Sequence, residues 1–207
     1  RISEIVIVDD HSTEAIYNTI FLQFNAVPKV KLFRNEKNLD CYRNKREAIS
    51  KASNEWVIIG DSDNIFNKEY TDKIESLYTS GLNPKTVYQP SFAKPHFNFT
   101  KYESFLIDKA NVSKYIGDAT FQTMLNAMNY VVNRDEYIKV WDGSVDPVTS
   151  DSIFQNYNWL KSGNKIYVVP GLEYEHRIHN GSHYQQNVRR TPHGFNNDII
   201  NRLTAIK

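Results

Sequence analysis

Trp56-Val57-Ile58-Ile59-Gly60-Asp61-Ser62-Asp63-Asn64 is an apolar run that ends on two aspartates one residue apart. Its first half has the length and composition of a buried strand. Burial has no use for the second half, because carboxylates are costly to desolvate. A pair of them at the C-terminal end of a strand belongs to a crevice, a cation or a capped turn. In open α/β sheets that end is also where ligands sit. Asp-x-Asp recurs in Asx turns as well, so its meaning depends on what surrounds it.

Upstream, Ile5-Val6-Ile7-Val8 is a second short apolar run, as expected for a strand covered on both faces. The polar turn Asp9-Asp10-His11-Ser12-Thr13-Glu14 follows, and Ser12 or Thr13 can cap the next helix. Ile16, Ile20 and Phe24 recur at spacing four and predict an apolar stripe facing inward. Val30–Phe33 reads as a strand, and residues 40–53 as a helix with Ala48, Ile49 and Ala52 inward. Downstream of the aspartates, Glu69–Leu77 reads as a helix closed by Gly81 and Pro84. Strands alternating with helices predict an α/β fold with a mostly parallel, doubly wound sheet.

From Val87 the pattern loosens. Residues 88–106 carry Tyr88, Phe92, Phe97, Phe99, Tyr102 and Phe105 among prolines and His96. They read as an aromatic cluster sealing the core edge or as a stacking surface for a sugar. Residues 118–130 read as helix, Ile138–Trp141 as a strand or a helix end, and Lys165–Pro170 as a strand. Residues 184–207 read as a covering helix or tail.

The 207 residues suit one domain with a real core. Basic and acidic residues balance, 25 against 24, which argues against a general polyanion binder and hence against nucleic acid as partner. Cys41 is the single cysteine, so no intrachain disulfide forms; a reducing, cytoplasmic setting is expected. No apolar run reaches the roughly 20 residues that span a bilayer. The chain starts at Arg1, almost directly on a strand, and reads as one piece of a longer polypeptide.

Three segments together resemble the GT-A nucleotide-sugar glycosyltransferases of the family-2 type. Ile5–Thr13 resembles that family's strand ending in Val-Asp-Asp-x-Ser-Thr. Asn38 through Asp63 resembles its Asn, helix, Ala-x-Gly-Glu, strand, Asp-x-Asp stretch. Thr149-Ser150-Asp151 with Leu160, Gly163, Lys165-Ile166 and Pro170 resembles its late Glu-Asp … Leu … Gly … Lys-Ile … Pro segment. The likeness covers roughly residues 2–182. There are departures. The family's first strand and helix are missing, Leu39 and Asp40 stand where glycines are usual, and Ser150 replaces an acid. These mark a divergent member, with a fainter resemblance to small algal-virus capsid glycosyltransferases.

The resemblance implies a GT-A fold over residues 1–207, with a nucleotide-sugar-binding half at 1–90 and an acceptor-side half at 91–207. It implies transfer of a sugar, of hexosyl type, from a UDP-sugar to a hydroxyl of a glycan or glycoprotein. The diphosphate leaves in that reaction, so its charge must be neutralised. Mn²⁺ or Mg²⁺ on oxygen ligands does this as a Lewis acid. Asp63 is then the firmer metal ligand, and Asp61 holds either the metal or the ribose hydroxyls. Asp10, with Asp9 beside it, faces the nucleotide, although both also suit a helix cap. Arg43, Lys45 and Arg46 face the diphosphate or solvent. Asp151 is the expected catalytic base; its alternative is a helix cap.

Glu173–His183 resembles the family's Tyr-x-Arg-x-His-x-Gly-Ser end. Here His179, or less directly His176, would complete the metal site, and Arg177 would pair with phosphate. Two rivals remain. A sugar-nucleotide nucleotidyltransferase would carry a Gly-rich basic loop after its first strand, and this chain shows none. A non-catalytic nucleotide- or carbohydrate-binding module of the same fold would have less reason to keep Asp10, Asp61, Asp63 and Asp151 together.

Overall fold

The computed structural model describes residues 2–178 and 194–206. Two sheets share no backbone pairing among these residues. The smaller consists of β1 (Ile5–Asp9) and β2 (Val30–Arg34), paired in parallel and connected through α1 (Glu14–Phe24). Next, α2 (Asp40–Lys51) leads to β3 (Trp56–Ile58), which begins the larger sheet.

The larger sheet has six strands. After β3 come β4 (Thr86–Lys94), β5 (Phe97–Asn98), β6 (Leu106–Ile107), β7 (Val131–Asn133) and β8 (Lys165–Glu175). Their spatial order is β3-β7-β4-β8-β6, with β5 pairing off β4. The two long pairings of the molecule, β1 with β2 and β4 with β8, are parallel. The antiparallel ones are short, and the one between β3 and β7 spans three residues. The α/β architecture and the dominance of long parallel pairs follow the expectation; β7, inserted antiparallel between β3 and β4, was not foreseen.

Side chains alternate across this sheet with the period of two that a pleat imposes. Val87, Val132, Ile166 and Val168 point into one cluster; Tyr88, Val131 and Val169 point into the other. The first cluster is built with Tyr42 and Ile49 of α2 and side chains of α4 (Ala119–Leu125), α5 (Arg134–Lys139), α6 (Asp151–Lys161) and α7 (Phe195–Ala205). The second is covered by α3 (Lys68–Ser80) through Tyr70, Ile74 and Leu77. Helices therefore cover both faces. Of α6, all but two residues are buried, and Trp159 and Leu160 lie fully inside.

Four expectations change. The stripe on α1 forms a helix, but among the described residues α1 buries none of its side chains, and Leu22 is 78% exposed. Nor does a side chain cap it at Thr13; Asp9 instead accepts from the Ser12 N–H. The helix read over 118–130 stops at Leu125, and the segment returns as β7. The most extensively paired strand, β4, lies in the stretch read as loose. Pro90 hid it, since proline has no N–H to give a ladder and sits in strands at bulges. Here the β4–β8 register shifts between Pro90 and Phe92. Of the aromatic residues, Tyr88, Phe99 and Tyr102 are buried, which makes the segment chiefly core.

Candidate active site

The Asp-x-Asp turn follows directly on β3. Ile59 still donates its N–H to Tyr130 O (2.9 Å), and the chain then turns, with Asn64 N–H bonded to Asp61 O (3.1 Å). Gly60 is required by space: a Cβ there would stand 2.7 Å from the Phe66 ring, which stacks on Tyr174 and meets Tyr70 edge-on. From the far side, Ile65 and Glu175 exchange backbone bonds of 3.0 Å, joining the turn to the end of β8. Arg177 adds its N–H to Asn64 Oδ1 (3.2 Å) and its guanidinium to the carbonyl of Asp63.

Asn129, missed in the sequence, orients Asp61. Its Oδ1 accepts from the Asp61 N–H at 2.8 Å, and its Nδ2 donates to Asp61 Oδ2 at 3.0 Å. Nδ2 also reaches the Tyr174 hydroxyl (3.2 Å), while Tyr70 donates to the Asn129 carbonyl (3.2 Å). The amide is 3% exposed. One signal was available: Asn129 directly precedes the apolar run Tyr130-Val131-Val132, as a polar residue placed against a strand end. Because β7 runs antiparallel to β3, its beginning lies beside the end of β3.

Asp151 opens α6 and is 8% exposed. Its Oδ2 accepts from Lys45 Nζ at 2.9 Å and lies 3.6 Å from the Cys41 thiol. Lys45 Nζ is also 3.1 Å from Asp61 Oδ1, so one ammonium joins the strand-end aspartate to the helix-start aspartate. Burial opposes ionisation of Asp151, but the charge and hydrogen bond of Lys45 outweigh it and hold the carboxyl below its ordinary value. Burial also disfavours charge on Lys45, yet Asp151 and Asp61 raise its pKa well above normal. Burial pushes the Cys41 thiol up to about 12, which leaves it unreactive.

The basic cluster of α2 is divided by the helix. Lys45 turns into the acidic site, while Arg43 and Arg46 are exposed and Arg46 stands 3.8 Å from Glu47. Asn44 is committed elsewhere: it donates to Val8 O at 3.2 Å and accepts from Asn35 at 2.9 Å.

The two aspartates after β1 also part ways. Asp9 is buried and faces its own sheet, accepting from the Ser12 N–H at 3.1 Å and forming an ion pair with Arg34, whose Nε stands 3.3 Å away. These contacts tie the turn after β1 to β2. Asp10 Oδ1 accepts from Asn35 Nδ2 and from the Leu39 N–H, both at 2.8 Å, so it fastens the start of α2. Asp40, which stands where the family prefers glycine, has φ 64°. A left-handed backbone is what favours glycine, and aspartate is among the few side chains that tolerate it.

His176 lies at the end of β8, its Nδ1 3.1 Å from His96 Nδ1 and its ring against Phe97. Burial, then His96, depress its pKa below the usual imidazole value, which favours the neutral, ligand-competent form. His179 lies outside the described residues. Among those described, no three His, Cys, Asp or Glu side chains converge as a complete metal cage. Hard oxygen donors at Asp61 and Asp63 nevertheless fit Mg²⁺ or Mn²⁺, which typically take one or two carboxylates and complete their shell with substrate phosphates and water.

The fold is that of a GT-A glycosyltransferase, with acidic groups gathered at the end of β3. The sequence model of "Glycosyl transferase family 2" matches residues 2–108, and the chain belongs to that family. Among solved structures, S. aureus TarS (residues 1–349) in complex with UDP-GlcNAc superposes with a TM-score of 0.63 at 14% identity, over 87% of this chain and 51% of that one. The Pyrobaculum calidifontis mannosyltransferase PcManGT, in complex with GDP-Man and Mn²⁺, gives 0.59 at 14% identity, over 97% and 59%. This chain thus spans about half the length of these structures. A comparison with curated proteins gives no match, and none of these findings bears on a viral origin. No helix among the described residues is long and apolar enough to cross a membrane.

Proposed function

We propose that this chain transfers a sugar, of hexosyl type, from a UDP-sugar to a hydroxyl of a glycan or glycoprotein, with Mn²⁺ or Mg²⁺ as cofactor. The observation that carries the reading is the meeting of Asp61 and Asp151 on one lysine, 3.1 and 2.9 Å from its Nζ. A strand-end acid turn suited to a cation and a sheltered carboxylate suited to a proton thereby share one site. Membership of glycosyltransferase family 2 supports it. The neighbours' printed ligands, UDP-GlcNAc for one and GDP-Man with Mn²⁺ for the other, agree in kind.

In this reading Asp63 holds the cation, with Asp61 sharing it or binding the ribose. When bound, that ion supplies Lewis-acid neutralisation of the leaving diphosphate. Asp10 receives the nucleotide base, and His179 or, second to it, His176 adds a nitrogen ligand. Arg177 is held at the Asp63 carbonyl, where its guanidinium can meet phosphate. Asp151 takes the proton from the attacking hydroxyl. Its low pKa makes it a ready carboxylate at neutral pH but a modest base, so its value lies in position as much as basicity.

Calorimetric titration of UDP with and without Mn²⁺ tests the donor side. Metal-dependent UDP binding is expected in the wild type and should disappear in Asp63→Ala; if it survives there, the metal assignment is wrong. On the acceptor side, Asp151→Asn should lower transfer by about 10²- to 10⁴-fold, the usual worth of general-base catalysis, while UDP binding stays intact. Equal loss of both would reduce Asp151 to a structural residue. A screen of UDP-sugars for slow hydrolysis, with products read by NMR, identifies the donor.

A further inference from the structure

Lys45 is held where a metal-dependent site would be expected to keep its acids open. Its Nζ lies between Asp61 Oδ1 and Asp151 Oδ2, at 3.1 and 2.9 Å, and the side chain is only 17% exposed. Asp151 is still more sheltered, so this is no solvent-screened surface pair of the kind worth little. We propose that Lys45 is an internal counter-cation of the acidic site, a positioning residue that must release Asp61 before a divalent ion can settle there. The inference rests on the glycosyltransferase reading for its purpose, but on the geometry of three side chains for its existence.

Two cations cannot comfortably share one carboxylate. An ammonium 3.1 Å from Asp61 Oδ1 repels any dication that approaches the same oxygen, and low exposure strengthens the repulsion. The anchors of the remaining acids are neutral: Asn129 on Asp61 Oδ2, the Cys41 thiol near Asp151 Oδ2. These contacts need not change when a dication arrives. Lys45 is the element that can yield, because an ammonium on a flexible four-carbon stem exchanges anionic partners easily. A diphosphate delivered with the ion offers it a new anion. Its helix neighbours Arg43 and Arg46 are exposed and Asn44 is tied to Val8 and Asn35, so none of them replaces it.

A sequence of events follows in which donor arrival clears the base. With Lys45 in place, Asp151 Oδ2 already accepts from an ammonium and lies beside the Cys41 thiol, so an acceptor hydroxyl must compete for it. Once Lys45 turns to the diphosphate, that oxygen opens. The site is thereby biased toward donor first and acceptor second.

The test is Mn²⁺ binding to the nucleotide-free protein, read from the free-ion signal by electron paramagnetic resonance, together with calorimetry of UDP at saturating Mn²⁺. Lys45→Gln should tighten Mn²⁺ alone by about tenfold, since a competing charge is gone, and weaken UDP severalfold. Lys45→Arg should stay near wild type in the first measurement. A lysine that merely braced the fold would loosen both ligands or neither. Unchanged or weaker Mn²⁺ binding in Lys45→Gln therefore overturns the proposal. Should Lys45→Gln unfold, the double variant Lys45→Met, Asp151→Asn leaves no unpaired buried charge and carries the same Mn²⁺ expectation. A wild type that binds no UDP at all defeats the glycosyltransferase reading, and the Mn²⁺-only titration still decides the role of Lys45.

Discussion

The two sheets of this molecule are held by different forces. The six-stranded sheet is sandwiched between apolar clusters, with α6 buried almost throughout. The β1–β2 layer depends instead on polar stitches. Glu4 receives the Ser53 N–H (2.6 Å), the Ser53 hydroxyl (2.7 Å) and Asn54, and pairs with Lys31. Asp9 binds Arg34, and Asp10 binds Asn35 and Leu39. Its helix α1 meanwhile leaves Ile16, Phe21 and Leu22 exposed. Apolar burial is non-directional and cooperative, whereas a hydrogen bond to an accessible group contributes only about 1 kcal/mol net. The small layer should therefore open more readily than the large one, although it carries Asp10.

The largest test of that contrast is Trp159→Ala in α6. Trp159 is fully buried, and its indole N–H donates to Lys165 O at 2.7 Å. A loss of about 3–5 kcal/mol is expected from the cavity alone, and chemical denaturation should register it as a collapse of the whole transition. Next comes Glu4→Gln, with an expected cost of about 1 kcal/mol, seen in hydrogen exchange of β1 and β2 before β4 and β8. The Glu4 carboxyl is lowered from 4.5 to about 2 by Lys31 first and Ser53 next. A depressed carboxyl contributes stability above its unfolded value and loses it as pH falls toward the folded one. Acid should hence loosen the small layer between about pH 4.5 and 2, and Glu4→Gln should flatten that response. The smallest effect belongs to Leu22→Ser: at 78% exposure it should stay within about 0.5 kcal/mol. A larger loss by thermal melting would mean that α1 is covered in solution, and the contrast would narrow.

Much of the large sheet was readable because β3 and β8 contain continuous apolar runs, which few other structures require. β4 was not, since Pro90 and the interleaved polar residues broke the pattern, and only its position between β7 and β8 makes sense of both. The α1 stripe was readable as amphipathic, but periodicity names a face without naming what covers it. Within the site, Asp61 and Asp63 stood out because carboxylates at a strand end have no packing role, and Asp151 through the resemblance of Thr149-Ser150-Asp151 to the family's late segment. The direction of Lys45 did not, because positions 43, 45 and 46 differ by the rotation of one helix turn. Asn129 carried one signal, its place just before the apolar run Tyr130-Val131-Val132, but its partner depended on β7 pairing antiparallel with β3.

Asn129 also sets the charge beside Asp61. Its amide presents oxygen to the backbone of Asp61 and nitrogen to the carboxylate, so the two ends cannot be exchanged without losing both bonds. Aspartate has nearly the same shape. Placed at 129, its second oxygen would stand about 3 Å from Asp61 Oδ2, where two carboxylate oxygens repel each other instead of bonding. A single atom, nitrogen in place of oxygen, thus lets residue 129 donate to the Asp61 carboxylate instead of repelling it, and the neutrality of this neighbour is as much a part of the acidic site as the acids.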